Sequence, residues 1–346
     1  MHRKGTSDLK SRIFARDNLE KAFKDVVSKK KKEERYQYLL DHEEDTLKNI
    51  IENPFVTGFY SVRQREDKSS GKTRTLMVSP FRDQVLQHAV MNVCHPFFER
   101  RFVRETCCAM KGRGPLYASK LLRKAVSEGG RHCVKFDIRH YYASIPHEPL
   151  KALVHRIFKD KYVLAFFDHI IGTCEKGLPL GNHTSQDLAN LYLTQLDRFV
   201  KERLKVEWYV RYNDDFALIS PNKRRLNRSI APVKAFLATL GLETHGNEQA
   251  RPIRPRIDDK GGFVDLGGWK VYRDCVIIRK RIWKRLRRGF LRQAQAPSPD
   301  RAKRNVSRLG YLKHSSSANA QRLYNKGMKA TLQSVKGKQR QWSLTN

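Results

Sequence analysis

Three aspartates stand where apolar stretches of chain stop. Asp137 ends the run His132-Cys133-Val134-Lys135-Phe136, and Asp214-Asp215 hinge two apolar runs, Trp208–Tyr212 and Phe216–Ile219. Adjacent carboxylates in an apolar setting repel one another and lose hydration. A divalent cation relieves both costs. The second segment reads as a β-hairpin with its acids at the turn, the first as a short strand. If the two strands are neighbours in one antiparallel sheet, the three carboxylates converge. Such a cluster holds two Mg²⁺ ions about 4 Å apart, one activating a 3′-hydroxyl and the other stabilising pyrophosphate as it leaves. The chemistry is then phosphoryl transfer, in which the cations meet charge where it develops. The plainer reading of Asp214-Asp215 is an ordinary hairpin turn.

Several elements must carry these acids. Residues 8–50 are helical in pattern, with Leu9, Ile13, Leu19, Phe23 and Val26 recurring on one face. Residues 55–63 and 74–79 read as strands joined by a loop at 67–72, and 81–103 return to helical periodicity. Residues 184–206 read as one long helix with Leu188, Leu191, Leu193 and Leu196 buried. From Arg279 onward there are 19 Lys or Arg against one acid, Asp300, and Pro297-Ser298-Pro299-Asp300 splits this tail into two helical pieces.

Over 346 residues, Lys plus Arg total 70 and Asp plus Glu 35, a formal charge of +35. That imbalance calls for a polyanionic partner, and nucleic acid fits best, since each neutralised phosphate releases counterions. With 17 Phe, 13 Tyr and 4 Trp the chain has the material for a core and is not of disordered composition. No apolar run approaches about 20 residues, so a membrane partner is not expected. The start, Met1-His2-Arg3-Lys4, leads into Asp8, Lys10 and Arg12 and not into an apolar segment. A signal peptide is therefore not expected, and the expected location is the cytoplasm. The six cysteines lack zinc-ligand spacing and read as small apolar residues in a reducing compartment.

Three blocks follow in fixed order: Phe-Asp-Ile-Arg-His-Tyr-Tyr-Ala-Ser-Ile at 136–145, Gly-Leu-Pro-Leu-Gly-Asn-His-Thr-Ser-Gln at 177–186, and Tyr-Asn-Asp-Asp at 212–215. Together they resemble the reverse transcriptases, from about Lys72 to beyond Lys270. The resemblance implies an α+β right-hand polymerase. It has a helical N-terminal extension (1–52), fingers (53–130), a palm with an antiparallel sheet (131–278, with a fingers insertion at about 148–176) and a basic helical thumb (279–346). It makes Asp137, Asp214 and Asp215 catalytic and, with the backbone carbonyl of Ile138, ligands of two Mg²⁺ ions, Mn²⁺ being the alternative metal. It makes Tyr142 the steric gate against a ribose 2′-hydroxyl. It assigns Lys72, Arg74, Leu180 and Gly181 to the incoming dNTP. Lys72 and Arg74, at alternate positions, share a face if that segment is a strand. Tyr212, the Gly267-Gly268 turn, Lys111, Arg113, Arg281, Arg285 and Arg288 would contact template and primer. The family usually carries a lysine after the Leu240-Gly241-Leu242-Glu243 block to protonate pyrophosphate. Here Asn247, Glu248 and Gln249 occupy that stretch, leaving His245 or solvent for the task.

One departure narrows the resemblance. Most reverse transcriptases carry Gln-Gly and, three residues on, Ser-Pro in the middle block. Here Leu180 replaces the glutamine and Gln186 the proline, as in the enzymes of diversity-generating retroelements. An amide beside the nascent pair holds its geometry by hydrogen bonding, and leucine cannot. A loss of about 1–3 kcal/mol of discrimination is roughly 10- to 200-fold in error rate. This resemblance implies a template RNA, an RNA–DNA duplex and dNTPs as partners, with a small basic oligomeric accessory variability determinant protein. It also implies error-prone copying at template adenines for mutagenic retrohoming, in a bacterial, phage or archaeal host cell. A group II intron-like or retron reverse transcriptase and a non-catalytic RNA-binding protein are the competing readings. A related RNA polymerase is disfavoured by Tyr142.

Overall fold

The computed structural model describes residues 8–327, except 32, 68–71, 259–261 and 297. In chain order the elements are α1 (Lys10–Ile13), α2 (Arg16–Val27), α3 (Tyr36–Asp41), α4 (Glu43–Glu52), β1 (Ser61–Asp67), β2 (Lys72–Val78), α5 (Phe81–Glu99) and α6 (Pro115–Ser127). Then come β3 (His132–Asp137), α7 (Tyr141–Ser144), α8 (His147–Ile157), α9 (Lys161–Ile171), α10 (Ser185–Arg198), β4 (Trp208–Tyr212), β5 (Asp215–Ser220) and α11 (Lys223–Thr239). Next come β6 (Arg251–Pro252), β7 (Val264–Leu266), β8 (Trp269–Val271), β9 (Val276–Ile278), α12 (Lys280–Gln295) and α13 (Pro299–Lys313), followed by a helical stretch over 318–327.

These elements form two compact units that interleave along the chain. One comprises residues 1–104, 138–203 and 233–244, the other 105–137, 204–232 and 245–346. In the first, α2 buries Leu19, Ala22, Phe23, Val26 and Val27, the one-face spacing that helical periodicity demands. Phe98, Phe158, Phe166 and Phe167 pack edge and face at centroid distances of 5.3–5.7 Å. Asp160 caps α9 by accepting from Val163 N–H, and also accepts from Leu9 and Lys10 at 2.6 and 2.9 Å. Burial works to raise its pKa, but these backbone donors win and hold the carboxyl below its ordinary value. The β1–β2 hairpin pairs Ser61 with Val78 through Asp67 with Lys72.

The second unit carries a four-stranded sheet of order β4-β5-β3-β6 and a three-stranded sheet β7-β8-β9. In β3, Cys133, Val134 and Phe136 are buried, and β5 is buried from Phe216 to Ser220. The Phe136 and Phe216 rings, register partners, stack at 4.7 Å. A one-residue slip of either strand would leave the two rings on opposite faces of the sheet, so this pair favours the observed register. A shared core of Leu122, Ile219, Leu266, Trp269, Leu286 and Leu312 joins α6, both sheets, α12 and α13.

Some expected boundaries shift. The first strand begins at Ser61 and not at 55, because residues 54–60 form no ladder. Its loop at 68–71 lies outside the described residues. The helix expected over 184–206 ends as an α-helix at Arg198 and continues as a π-helical turn over Phe199–Arg203. Cys94, Cys107 and Cys133 are buried, while Cys108, Cys174 and Cys275 are half-buried.

Candidate functional site

The β3–β5 ladder sets Asp137 directly opposite Asp215. The β4–β5 ladder closes on Tyr212 opposite Asp215, which leaves Asn213-Asp214 as a two-residue turn. Asn213 takes φ +60°, a left-handed value that asparagine tolerates better than most residues. Its side-chain amide donates to Asp214 Oδ1 at 3.0 Å. The acids expected to act together thus sit at one end of one sheet.

Their charges interact. Asp215 is pushed up to about 6, first by burial, with repulsion from Asp137 and Asp214 adding to it and the attraction of Lys135 opposing it. Lys135 Nζ lies 2.8 Å from Asp215 Oδ1. Among the described residues no three His, Cys, Asp or Glu side chains are already gathered as a metal cage. The donor set nonetheless fits a divalent cation, since Asp137 and Asp214 both repel Asp215 and an added positive charge would relieve that repulsion. Asp137, Asp214 and Asp215 are the residues that could hold it, with the Ile138 carbonyl next in the chain. Ile138 is buried and faces Thr244 across an isolated bridge. His245 donates its backbone N–H to the Asp137 carbonyl at 3.3 Å, while its side chain is exposed.

Arg211, which the sequence reading missed, is fully buried. Its guanidinium donates to the carbonyl of Asn213 at 3.1 Å and to Thr106 Oγ1 at 3.1 Å. The backbone of Glu105–Cys107 runs alongside, with Arg211 N–H donating to Glu105 O and Cys107 N–H to Arg211 O. A cation inside the apolar run Trp208–Tyr212 was the available signal.

Tyr212 is half-buried, and burial pushes its hydroxyl up. Gly267 and Gly268 form the β7–β8 turn at φ +59° and +90°. A Cβ on Gly267 would lie 3.5 Å from the Tyr212 ring, so this turn abuts the end of β4, the strand that leads into the Asn213-Asp214 turn. Lys111 is exposed and Arg113 half-buried in a tight turn closed by Arg113 N–H to Met110 O at 3.1 Å. Arg281, Arg285 and Arg288 are exposed on α12, opposite buried Leu286 and Phe290.

The remaining expected residues belong to the first unit. Tyr142 is half-buried on α7, edge-on to Tyr141 at 5.6 Å. Lys72 and Arg74 alternate on β2, and their side chains lie outside the described residues. Leu180 accepts from Met77 N–H at 2.7 Å, tying its loop to the end of β2. Gly181 takes φ +121°, and a Cβ there would meet the Met77 carbonyl at 2.6 Å. Gln87 accepts from His183 N–H at 3.1 Å, and Asn182 donates to the Tyr60 hydroxyl at 3.1 Å. Gln186 is half-buried on α10.

The fold resembles that of apo telomerase from Candida Tropicalis, with a TM-score of 0.53 at 12% identity, covering 87% of this chain and 63% of that one. Telomerase from Candida Tropicalis in complex with a TWJ fragment of telomeric RNA gives 0.51 over 83% of this chain and 55% of that one. The architecture is the α+β right-hand class. Protein YkfC of Escherichia coli (strain K12) is 23% identical over 267 residues, 63% of this chain and 69% of that protein. The group II intron-encoded protein LtrA of Lactococcus lactis subsp. cremoris is 27% identical over 224 residues, 61% of this chain. The match spans 36% of LtrA's length. The family model described as reverse transcriptase (RNA-dependent DNA polymerase) matches residues 66–247, more than half of the chain and all three aspartates, so this chain belongs to the reverse transcriptase family.

Proposed function

We propose that the chain copies an RNA template into DNA and does so with low fidelity at template adenines, as the mutagenic enzyme of a diversity-generating retroelement. The observation that carries the polymerase reading is Asp137 facing Asp215 across one ladder, with Asp214 in the adjoining turn. Bound at Asp137, Asp214, Asp215 and the Ile138 carbonyl, two Mg²⁺ ions would supply charge for the 3′-oxygen nucleophile and the departing pyrophosphate. Lys135 holds the Asp215 carboxylate and Arg211 the turn that carries Asp214. Tyr142 excludes a ribose 2′-hydroxyl, Lys72 and Arg74 bind the triphosphate, and Tyr212 with the Gly267-Gly268 turn supports the primer. The exposed arginines of α12 follow the duplex backbone by charge and shape.

The retroelement reading rests on Leu180 and Gln186. Leucine offers no side-chain hydrogen bond to hold a nascent pair, so mispairs are rejected less strongly. A template RNA and a basic oligomeric accessory protein follow as partners. Likeness to LtrA favours an intron-type enzyme as the second reading.

Primer extension on a defined RNA template, with sequencing of the products, separates these readings. The wild type should incorporate dNTPs, with errors concentrated opposite adenine. Leu180→Gln should lower that error rate roughly 10-fold or more. Asp214→Ala should abolish synthesis while leaving RNA affinity nearly unchanged. Synthesis by Asp214→Ala would refute the role of the acids. Errors spread evenly over template bases would favour the intron-type reading.

A further inference from the structure

The loop that carries Leu180 is gripped residue by residue within the first unit. Leu180 accepts from Met77 N–H of β2 at 2.7 Å, and the Asn182 amide donates to the Tyr60 hydroxyl at 3.1 Å. His183 is held twice, by consecutive residues of α5. Gln87 Oε1 accepts from its backbone N–H at 3.1 Å. The His88 ring lies flat on its imidazole, with centroids 3.9 Å apart and planes 6° from parallel. Gln87 is itself buried, and its Nε2 donates to the Ser79 hydroxyl at 3.4 Å.

The ring contact matters because the loop is otherwise poorly satisfied. Asn182 and Thr184, on either side of His183, are buried, and among the described residues Asn182 Oδ1 and Thr184 Oγ1 have no hydrogen-bond partner. Unpaired buried oxygens favour any rearrangement that lets water reach them, and the stack opposes it. The surroundings also fix the state of the His88 ring. Lys29 Nζ lies 3.4 Å from His88 Nε2. An ammonium only donates, so Nε2 accepts and the ring proton sits on Nδ1. Burial pushes His88 down to about 3, with His183 and Lys29 pushing the same way, so the ring is uncharged at neutral pH. Lys29 stands in the short turn Ser28–Lys30 that follows α2. A chain of contacts thus runs from the end of α2 through Lys29, His88 and His183 to the loop of Leu180.

We propose that His88 is a positioning residue for nucleotide selection. Its ring, oriented by Lys29, clamps His183 and so sets the place of Leu180 beside the nascent base pair. The effect on fidelity depends on the polymerase reading and on the role given there to Leu180, whereas the clamp itself does not.

The test compares His88→Ala with His88→Phe in the full chain, the first removing the ring and the second keeping a flat one. Exchange of the His183 amide should quicken about 10-fold or more in His88→Ala and stay within about twofold of wild type in His88→Phe. In primer extension on RNA with single nucleotides, the ratio of kcat/KM for incorrect over correct dNTP should rise roughly 3- to 10-fold in His88→Ala. It should return to near the wild-type ratio in His88→Phe. A merely structural lesion slows both nucleotides alike and leaves the ratio where it was. His183→Ala, at an exposed position that folding tolerates, should raise the ratio from the other side of the stack. Unchanged exchange in His88→Ala overturns the clamp. Quickened exchange with an unchanged ratio overturns its part in selection. A phenylalanine variant that behaves like the alanine variant, or a His183→Ala ratio equal to wild type, overturns the stack as the cause. A ratio unmoved by Lys29→Met overturns the part given to Lys29. If wild type makes no DNA, the polymerase reading falls, and amide exchange alone decides the clamp.

Discussion

Asp215 is a carboxylic acid held partly protonated near neutrality. Its pKa rises from 3.8 to about 6, first through burial, with its two acidic neighbours adding to the rise and Lys135 opposing it. A raised carboxyl favours the proton-bound folded state. Its contribution to stability is therefore fully present below about pH 3.8 and is lost as pH climbs through about 6. Asp215→Asn makes the side chain permanently neutral. The variant should be more stable than wild type at about pH 8 by about 1–3 kcal/mol, and the gap should close toward about pH 4. Melting curves across that range without divalent ions check this, and a gap independent of pH would sink it. Added Mg²⁺ should raise the wild-type melting temperature and narrow the gap, a readout that needs no catalysis. Arg211 acts on the same turn from behind, through Asn213 O and Thr106. Arg211→Met removes both hydrogen bonds, at about 1–3 kcal/mol for each polar group left unpaired. It should also raise the Mg²⁺ concentration needed for half-maximal synthesis. Lost stability with an unmoved Mg²⁺ requirement would reduce Arg211 to a packing role.

The β2 strand and the 180–183 loop move as one piece. The Met77–Leu180 hydrogen bond and the close approach at Gly181 make the strand bearing Lys72 and Arg74 continuous with the loop bearing Leu180. Gly181→Ala puts a methyl against the Met77 carbonyl at a φ that alanine rarely adopts, at about 1–3 kcal/mol. Amide exchange at Met77 should quicken, and nucleotide discrimination should change together with it. Protection retained at Met77 would mean the loop yields without releasing the strand. Little of this link was legible in the sequence, because a backbone bond between residues a hundred positions apart leaves no periodic trace. The acid hairpin was legible for the opposite reason: its partner strands lie on either side of one turn, and apolar runs flank the acids. β3 was readable as an apolar run ending in Asp137, although its pairing with β5 was a conditional inference. β6, with two residues, and β7–β9, with three each, are too short for alternation to reveal them. Only the glycine pair marked the β7–β8 turn. Arg211 looked like an interruption of its strand because its partners, Thr106 and the turn carbonyl, meet it only in the fold.

For the molecule as a whole the dominant quantity is charge. A formal +35 is spread over the chain, but its sign is most one-sided from residue 279 onward, where α12 exposes Arg281, Arg285 and Arg288 over a buried face of Leu286 and Phe290. Among the described residues no helix is long and apolar enough to cross a membrane. Phosphate backbones are the natural counterpart of such a surface, and counterion release makes the number of contacts measurable. Each phosphate neutralised adds about 0.7–0.9 to the slope of log affinity against log salt. Replacing the three arginines by glutamine should flatten that slope by about 2–3 for an RNA–DNA duplex and weaken binding evenly across sequences. Because glutamine is a good helix former and the positions are exposed, α12 should keep its fold and the melting temperature its value. Asp214→Ala provides the contrast, since it removes an acid at the reaction centre and leaves the basic face intact: its salt slope should match wild type while synthesis disappears. A slope unmoved by the triple substitution would detach α12 from the nucleic acid and shift the electrostatic footprint to other cations of the chain.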